Sequence, residues 1–319
     1  VIRFPKTVDE AVTAAAEQGG VYRAGGTDLQ DRRAHLAVLG KPLPPVVDLR
    51  DVPGLDSIAS DDNGAWIGAL TTLTTIAEHP ALRERWPGVA EACGALAHPQ
   101  IRAVATLAGN LMQGPRCWYY RHPDYQCLRK GGSTCFAREG DHLWHVCFDQ
   151  APCAAPHPST AALALLAYEA EVEFLLPGVV EPQRQPIEKI LGIDALPEGA
   201  LITAVRLGPP LAGERTAYVR ASNRAYAEWA LVEVSVRLQL GEAGEITFAR
   251  VTAGAVAPTP LRLTAVEAAL QAKPPTPETL AAAAKLARDN AKPLPMTGYK
   301  LDLLEGSVLE ALERALENK

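Results

Sequence analysis

Long apolar runs are missing from this chain of 319 residues. None approaches the roughly 18–20 residues of a membrane-spanning helix. The longest, Ala161–Ala167, has the length of an interior strand or helix, so no membrane insertion is expected. The first residues, Val1-Ile2-Arg3-Phe4-Pro5-Lys6, lack the charged-then-apolar order of a secretion signal. A cytoplasmic location is expected, with the periplasm as the alternative if the folded chain travels with a partner subunit. A basic stripe is also lacking. The formal net charge is −6 and is spread along the chain, which disfavours nucleic acid as a partner. Neither a G-x-G-x-x-G fingerprint nor a Walker lysine loop occurs, which disfavours Rossmann-type nicotinamide binding and P-loop chemistry. Tight Cys-x2-Cys pairs, the mark of zinc ribbons, are absent too. No nucleophile–base pair or catalytic carboxylate pair stands out, and Asp48, Asp51 and Asp56 read as loop charges. No residue is therefore assigned as catalytic.

What is present begins with a core: 48% of residues are hydrophobic. Thr7-Val8-Asp9-Glu10 reads as a capping box opening a small-residue helix that Gly19-Gly20 ends. A short strand at 21–24, a helix to about Leu39 and a buried strand at 46–49 follow. Asp61-Asp62-Asn63-Gly64 supplies turn chemistry for a hairpin over 55–70. Helices are expected over 71–79, 81–98 and from Ser159, and strands over 171–176 and 201–207. From about Tyr218 the pattern changes to long antiparallel strands (228–240, 246–254). Alanine-rich helices then follow at 265–272, 277–290 and 304–318, the pattern of a separate α+β domain. The loop at 182–185 is the expected boundary.

Two glycine loops carry the first functional signal. Ala24-Gly25-Gly26-Thr27-Asp28-Leu29 lies between a strand and a helix, where backbone amides and the Thr27 hydroxyl can meet a phosphate. Thr106-Leu107-Ala108-Gly109-Asn110-Leu111 repeats the combination of a hydroxyl, a small residue and a glycine. Two such loops could cradle the two phosphates of a dinucleotide, although glycine pairs are more often plain turns.

These loops, together with Ile67-Gly68-Ala69, Pro99-Gln100-Ile101-Arg102, His157-Pro158-Ser159, Val256-Ala257-Pro258-Thr259-Pro260 and Tyr299-Lys300, resemble the FAD-binding subunit of the molybdenum hydroxylases. That is the xanthine dehydrogenase and carbon monoxide dehydrogenase medium-subunit family, and the likeness runs nearly end to end. It implies an α+β fold: a vanillyl-alcohol-oxidase-like (PCMH-type) FAD-binding domain in two subdomains, then a C-terminal α+β domain like that of the carbon monoxide dehydrogenase flavoprotein. The implied spans are 1–55, 56–180 with an insert at about 114–156, and 185–319. The implied FAD contacts are Ala24, Gly25, Gly26, Thr27, Asp28 and Leu29 in the first loop. Ile101, Thr106, Ala108, Gly109 and Asn110 follow in the second, with Gly68, Thr71, His157 and Lys300 beyond them. Relatives often carry aspartate where this chain has Thr160, and glycine where it has Ala108.

Five of the six cysteines fall in the insert: Cys117, Cys127, Cys135, Cys147 and Cys153. Disulfides suit small secreted chains without an adequate core; a core-forming composition and an odd cluster disfavour them here. From ligand type alone, an iron–sulfur cluster and zinc stay equally open. Arg116-Cys117-Trp118-Tyr119-Tyr120, Cys127-Leu128-Arg129-Lys130-Gly131-Gly132, Thr134-Cys135 and Pro152-Cys153 resemble a subgroup whose inserted loop binds a [4Fe–4S] cluster near the flavin. That subgroup includes the flavin subunits of 4-hydroxybenzoyl-CoA reductase and of bacterial periplasmic aldehyde oxidoreductase. The resemblance makes Cys117, Cys127, Cys135 and Cys153 the ligands. Cys147 and Cys93 are expected to be buried small hydrophobes, and His142 and His145 to hydrogen-bond within the loop.

The implied function is an FAD- and [4Fe–4S]-containing electron-transfer subunit. The implied partners are a large molybdopterin subunit, a small [2Fe–2S] subunit and an external acceptor or donor such as ferredoxin. A stand-alone flavin oxidoreductase and a zinc-stapled structural subunit are the alternatives.

Overall fold

The computed structural model describes residues 1–192, 195–224 and 228–318. The capping box forms: Thr7 Oγ1 accepts from the Glu10 amide at 3.1 Å, and Gly19 ends helix Val8–Gln18 with φ +58°. Glu10 turns back one residue further than a standard box, taking the Lys6 amide at 2.6 Å. Ala11, Val12 and Ala15 of this helix are buried. Parallel strands need a crossover, and two helices provide it: β1 (Ile2–Arg3), β2 (Val21–Arg23) and β3 (Val46–Asp48) pair in parallel, in the order β1-β3-β2.

The second layer is antiparallel. β4 (Ile58–Asp61), β5 (Gly64–Gly68), β6 (Glu171–Leu175), β7 (Gln183–Pro186) and β8 (Leu201–Leu207) pair in the order β4-β5-β8-β6-β7. The expected hairpin turn closes between β4 and β5, with the Asn63 amide on Asp61 Oδ1. Leu73, Ile76, Trp86, Val89, Leu165 and Phe174 fill the core beside this sheet. The helix expected over 81–98 is broken at Trp86, because Pro87 pushes the residue before it out of the helical region; helices Pro80–Arg85 and Pro87–Ala95 result.

The third sheet, in the order β12-β11-β10-β9, joins β9 (Arg215–Ala221), β10 (Val232–Leu240), β11 (Ile246–Gly254) and β12 (Leu261–Arg262). Val232, Val234, Val236 and Leu238 pack with Leu304, Val308 and Leu312 of helix Tyr299–Glu317. The other face of β10 carries Glu233, Ser235 and Arg237, yet all three are buried. Helix Thr160–Ala167 covers them: Thr160 donates to Glu233, and Arg237 donates to the Ala167 carbonyl. The change of sheet falls between Leu207 and Arg215, not at the expected 182–185 loop, because β7 and β8 hydrogen-bond to β6.

The insert is a compact loop with one helical turn, Trp118–Arg121, and two tighter turns, Leu128–Lys130 and Phe136–Arg138. Its far end docks on the C-terminal layer. The Cys147 and Phe148 amides both donate to the Val256 carbonyl, at 2.9 and 3.0 Å, and the Lys292 amide donates to the Cys147 carbonyl at 3.0 Å.

Candidate functional site

A cavity of about 620 Å³ lies where the three layers meet. That size suits a sizeable cofactor. All six residues of the first glycine loop line it. Gly26 takes φ +79°, a conformation glycine adopts without strain. Gly25 is required by contact instead: a Cβ there would stand 1.8 Å from the Val104 carbonyl oxygen. Helix Thr27–Val38 has no side-chain cap, and its first backbone bond runs from the Gln30 amide to the Gly26 carbonyl at 2.8 Å. The amides of Thr27, Asp28 and Leu29 are thus the open donors of a helix N-terminus, where the helix dipole also favours an anion. This cradle fits a dinucleotide pyrophosphate.

Ile101, Thr106, Ala108, Gly109 and Asn110 line the cavity as well, but the second loop contributes differently. Its amides already have acceptors: Leu107 donates to the Thr71 carbonyl and Ala108 to the Ala69 carbonyl, both at 3.0 Å, and Gly109 donates to Thr106 Oγ1 at 3.3 Å. A Cβ on Gly109 would sit 2.9 Å from Thr106 Oγ1 and 3.9 Å from the Ala24 Cβ, so this glycine lets the two loops approach. Asn110 Oδ1 accepts from Ser159 Oγ at 2.7 Å and from the Ala161 amide at 3.3 Å, fixing the start of helix Thr160–Ala167.

Four expected contacts stand outside the cavity lining. Gly68 and Thr71 lie behind the wall formed by Ala69 and Leu70; a Cβ on Gly68 would meet the Leu55 carbonyl oxygen at 2.3 Å, and Thr71 is buried. Lys300 is fully buried between the insert and the C-terminal layer, donating to the Trp144 and Ala255 carbonyls at 3.2 and 2.9 Å. Burial brings its ammonium down to about 8. His157 is buried, and its Nδ1 accepts the Ser159 amide at 3.3 Å, which shapes the turn into the helix.

Burial holds His157 down to about 4, far below its ordinary value of 6.5. The folded state keeps this imidazole neutral while the unfolded chain takes up a proton, so stability falls as pH drops through 6.5 toward 4. The shift corresponds to about 3 kcal/mol at most. His157→Asn, which retains an acceptor, is expected to flatten this part of the stability–pH curve in urea titrations between pH 4 and 7. An unchanged slope would contradict the assignment.

Asp28 lines the cavity, but its carboxylate is committed elsewhere. Oδ1 meets Arg116 at 3.2 Å and Arg121 at 3.0 Å, and Oδ2 accepts the Gly114 amide at 3.1 Å. It straps the first residues of the insert to the phosphate loop. Asp28→Ala is expected to cost about 1–3 kcal/mol through the donors it strands, and to speed protease cleavage within residues 114–135. Unchanged cleavage would remove the strap.

Sequence reasoning missed Arg116, Trp229 and Glu233, which also line the cavity. Arg116 lies 3.8 Å from the Trp229 ring centre, a cation–π contact. Glu233 is buried and takes hydroxyl bonds from Thr160 at 2.6 Å and Tyr218 at 2.7 Å.

All six cysteines are free thiols. Cys93 and Cys147 are fully buried in separate cores, with burial pushing their thiols up to about 12 and about 11. The other four gather in the insert. Cys117 feels the charges of Cys153 and Cys127. Cys135 lies in hydrogen-bonding reach of Cys153, which lowers the Cys153 thiol and raises that of Cys135, with Arg129 assisting at Cys153. Nitrogen groups also face sulfur: Arg129 Nε donates to Cys153 Sγ at 3.4 Å, and His145 Nε2 lies in hydrogen-bonding reach of Cys117 Sγ at 3.3 Å. Hydrogen bonds to sulfur suit thiolates bound to a cluster. Among the described residues, no group of three or more His, Cys, Asp or Glu side chains is placed to hold a metal ion. His142 holds the loop: Nδ1 meets the Ala137 and Gly140 carbonyls at 2.9 and 2.8 Å, and Nε2 accepts the Met296 amide at 3.2 Å. Trp118, Tyr119 and Tyr120 do not line the cavity. Tyr119 packs on Tyr125 and Phe136, and Trp118 on Trp144.

A fold of three sheets around a cavity with an amide-rich glycine loop suits a dinucleotide-binding protein. Residues 2–210 match the FAD binding domain in molybdopterin dehydrogenase, and residues 217–315 match the CO dehydrogenase flavoprotein C-terminal domain. The chain belongs to this family of FAD-binding oxidoreductase components. It is 34% identical over 279 residues to the aldehyde oxidoreductase FAD-binding subunit PaoB of Escherichia coli (strain K12), covering 84% of each chain. It is 24% identical over 313 residues to the nicotinate dehydrogenase FAD-subunit of Eubacterium barkeri, covering 95% of this chain and 91% of that one. Its fold matches a carbon monoxide dehydrogenase chain from Hydrogenophaga pseudoflava with TM-score 0.77, at 23% identity, over 99% of this chain and 96% of the other. Among the described residues no helix is long and apolar enough to cross a membrane.

Proposed function

We propose that this chain is the FAD- and [4Fe–4S]-binding electron-transfer subunit of a heterotrimeric molybdenum hydroxylase-type oxidoreductase. Its partners would be a large molybdopterin subunit, a small [2Fe–2S] subunit and an external one-electron partner such as ferredoxin. The observation that carries this reading is adjacency: Arg116 lines the FAD cavity, and Cys117, the first thiol of the insert, is its neighbour in the chain. Asp28 holds Arg116 against the phosphate loop, so the two cofactor sites are mechanically one unit. When bound, FAD supplies both one- and two-electron chemistry, which suits a junction between single-electron carriers. The chain's own residues do the rest. The Thr27–Leu29 amides would hold the pyrophosphate, Cys117, Cys127, Cys135 and Cys153 would hold the cluster, and Arg129 would direct an N–H group at the Cys153 sulfur, with His145 beside Cys117. Gly68, Thr71, His157 and Lys300 support these sites from behind. The similarity to a subunit of an aldehyde oxidoreductase favours an aldehyde as the substrate class of the complex.

Size-exclusion of the untagged native protein tests the subunit reading. Flavin, iron and molybdenum are expected to elute together with two further chains. A flavoprotein eluting alone, without molybdenum, would contradict it and favour the stand-alone oxidoreductase.

A further inference from the structure

The FAD cavity draws one wall from the C-terminal layer, and that wall carries a buried carboxyl. Glu233 sits on β10, paired across the ladder with Arg220 of β9, and is only 3% exposed. Its two hydroxyl donors, Thr160 Oγ1 and Tyr218 Oη, both reach the same oxygen, Oε2. Thr160 begins the helix that Asn110 fixes from the second glycine loop, and Tyr218 is buried on β9. The carboxyl is therefore gripped from both halves of the protein through Oε2, with the charge of Arg220 also acting on it; among the described residues no hydrogen bond reaches Oε1, which faces the side where a cofactor donor would lie. Such a group is a cost to the fold: burial pushes the Glu233 carboxyl up against the opposing pull of the Thr160 and Tyr218 hydroxyls. A buried carboxyl facing a ligand cavity is more usual at functional sites than in structural cores.

We propose that Glu233 is an FAD-recognition residue: Oε1 accepts a hydrogen bond from a donor of the bound cofactor, and Thr160 and Tyr218 position it. Glu233 thereby makes FAD a bridge between the N-terminal loops and the C-terminal sheet. The helix at Thr160 supplies the alternative wall from which a carboxylate could reach the same point, because its hydroxyl already lies 2.6 Å from Glu233. This inference rests on the FAD reading of the cavity.

The test is FAD binding to apoprotein, followed by flavin fluorescence quenching, with thermal unfolding of each apoprotein measured alongside. Glu233→Gln keeps the volume, but the two hydroxyls claim its one carbonyl and turn the amide NH2 toward the cofactor donor. FAD affinity is expected to fall about 10–100-fold, while the apoprotein midpoint stays level or rises. Thr160→Asp alone sets two carboxylates side by side and is expected to weaken FAD as well. The double variant Thr160→Asp/Glu233→Gln restores one carboxylate and is expected to recover most of the affinity. Such reciprocal recovery is a coupling that a merely structural role would not produce. Wild-type affinity in Glu233→Gln, or losses in the double variant that simply add, would overturn the proposal. If Glu233→Gln does not accumulate as folded protein, Tyr218→Phe is read in the same assay: an FAD affinity lowered about threefold or more supports the proposal, and an unchanged one overturns it. Wild-type apoprotein that takes up no FAD would instead defeat the FAD reading itself, so the two failures are distinguishable.

Discussion

Gly25→Val yields a protein without flavin. The reason is contact, since Gly25 is not among the glycines with positive φ. A Cβ there would lie 1.8 Å from the Val104 carbonyl oxygen and 3.1 Å from the Ala105 Cα. Both are backbone atoms of the segment leading into the second loop, so no side chain can rotate away. The two loops must separate, which moves the Thr27–Leu29 amides off the pyrophosphate position. Overpacking of this kind costs about 1–3 kcal/mol of stability, sometimes more. The larger effect falls on binding, with FAD affinity lower by at least ~100-fold once two or more charge-assisted bonds are lost. Flavin content after purification with excess FAD, set beside the unfolding midpoint, measures it. Gly306→Ala is the control. It lies within helix Tyr299–Glu317 with nothing within 4 Å of its Cβ, so flavin content should not change and stability should rise by up to about 1 kcal/mol. Full flavin content in Gly25→Val would show that the first loop does not hold the cofactor.

The second large effect concerns the insert. Cys117→Ser, Cys127→Ser, Cys135→Ser and Cys153→Ser are each expected to reduce iron and acid-labile sulfide to near background, because a cluster of this type takes four thiolates. Cys93→Ala and Cys147→Ala should keep both. Those two thiols lie in hydrophobic cores, with Cys147 set among Val256, Phe148 and Leu301. Their loss costs about 1–3 kcal/mol in packing but no metal. Iron loss in Cys147→Ala together with retention in Cys153→Ser would reverse the ligand assignment.

Much of this was legible in the sequence because it is local. A capping box, a turn and a glycine loop are each encoded within a few residues, so Thr7, Asp61–Gly64 and Ala24–Leu29 could be read directly. What escaped is tertiary. Glu233, Ser235 and Arg237 alternate with Val232, Val234 and Val236, a pattern that reads as a strand with one wet face. That face is dry, because helix Thr160–Ala167, some 70 positions earlier, packs over it. The available signal was the pairing of Arg237 with Glu214 at 2.7 Å, but nothing in the sequence links those two positions. Lys300 was associated with the cofactor, yet its reach ends on two backbone carbonyls that only the docked insert brings to it. Asp28 was expected among the FAD contacts; it lines the cavity, while its charge is taken by Arg116 and Arg121, which a linear reading treats as part of another element. The sheet runs on past the 182–185 loop for a related reason: residues 183–186 form β7, an edge strand where Pro186 is tolerated, and β8 follows in the same sheet.

One chain is proposed to hold a flavin and an iron–sulfur cluster side by side. Anaerobic purification followed by flavin, iron, zinc and acid-labile sulfide analysis tests it most directly. The expected result is about one FAD, about four iron and about four sulfide per chain, with no zinc. Zinc without sulfide, or a chain that takes up no FAD, would contradict it.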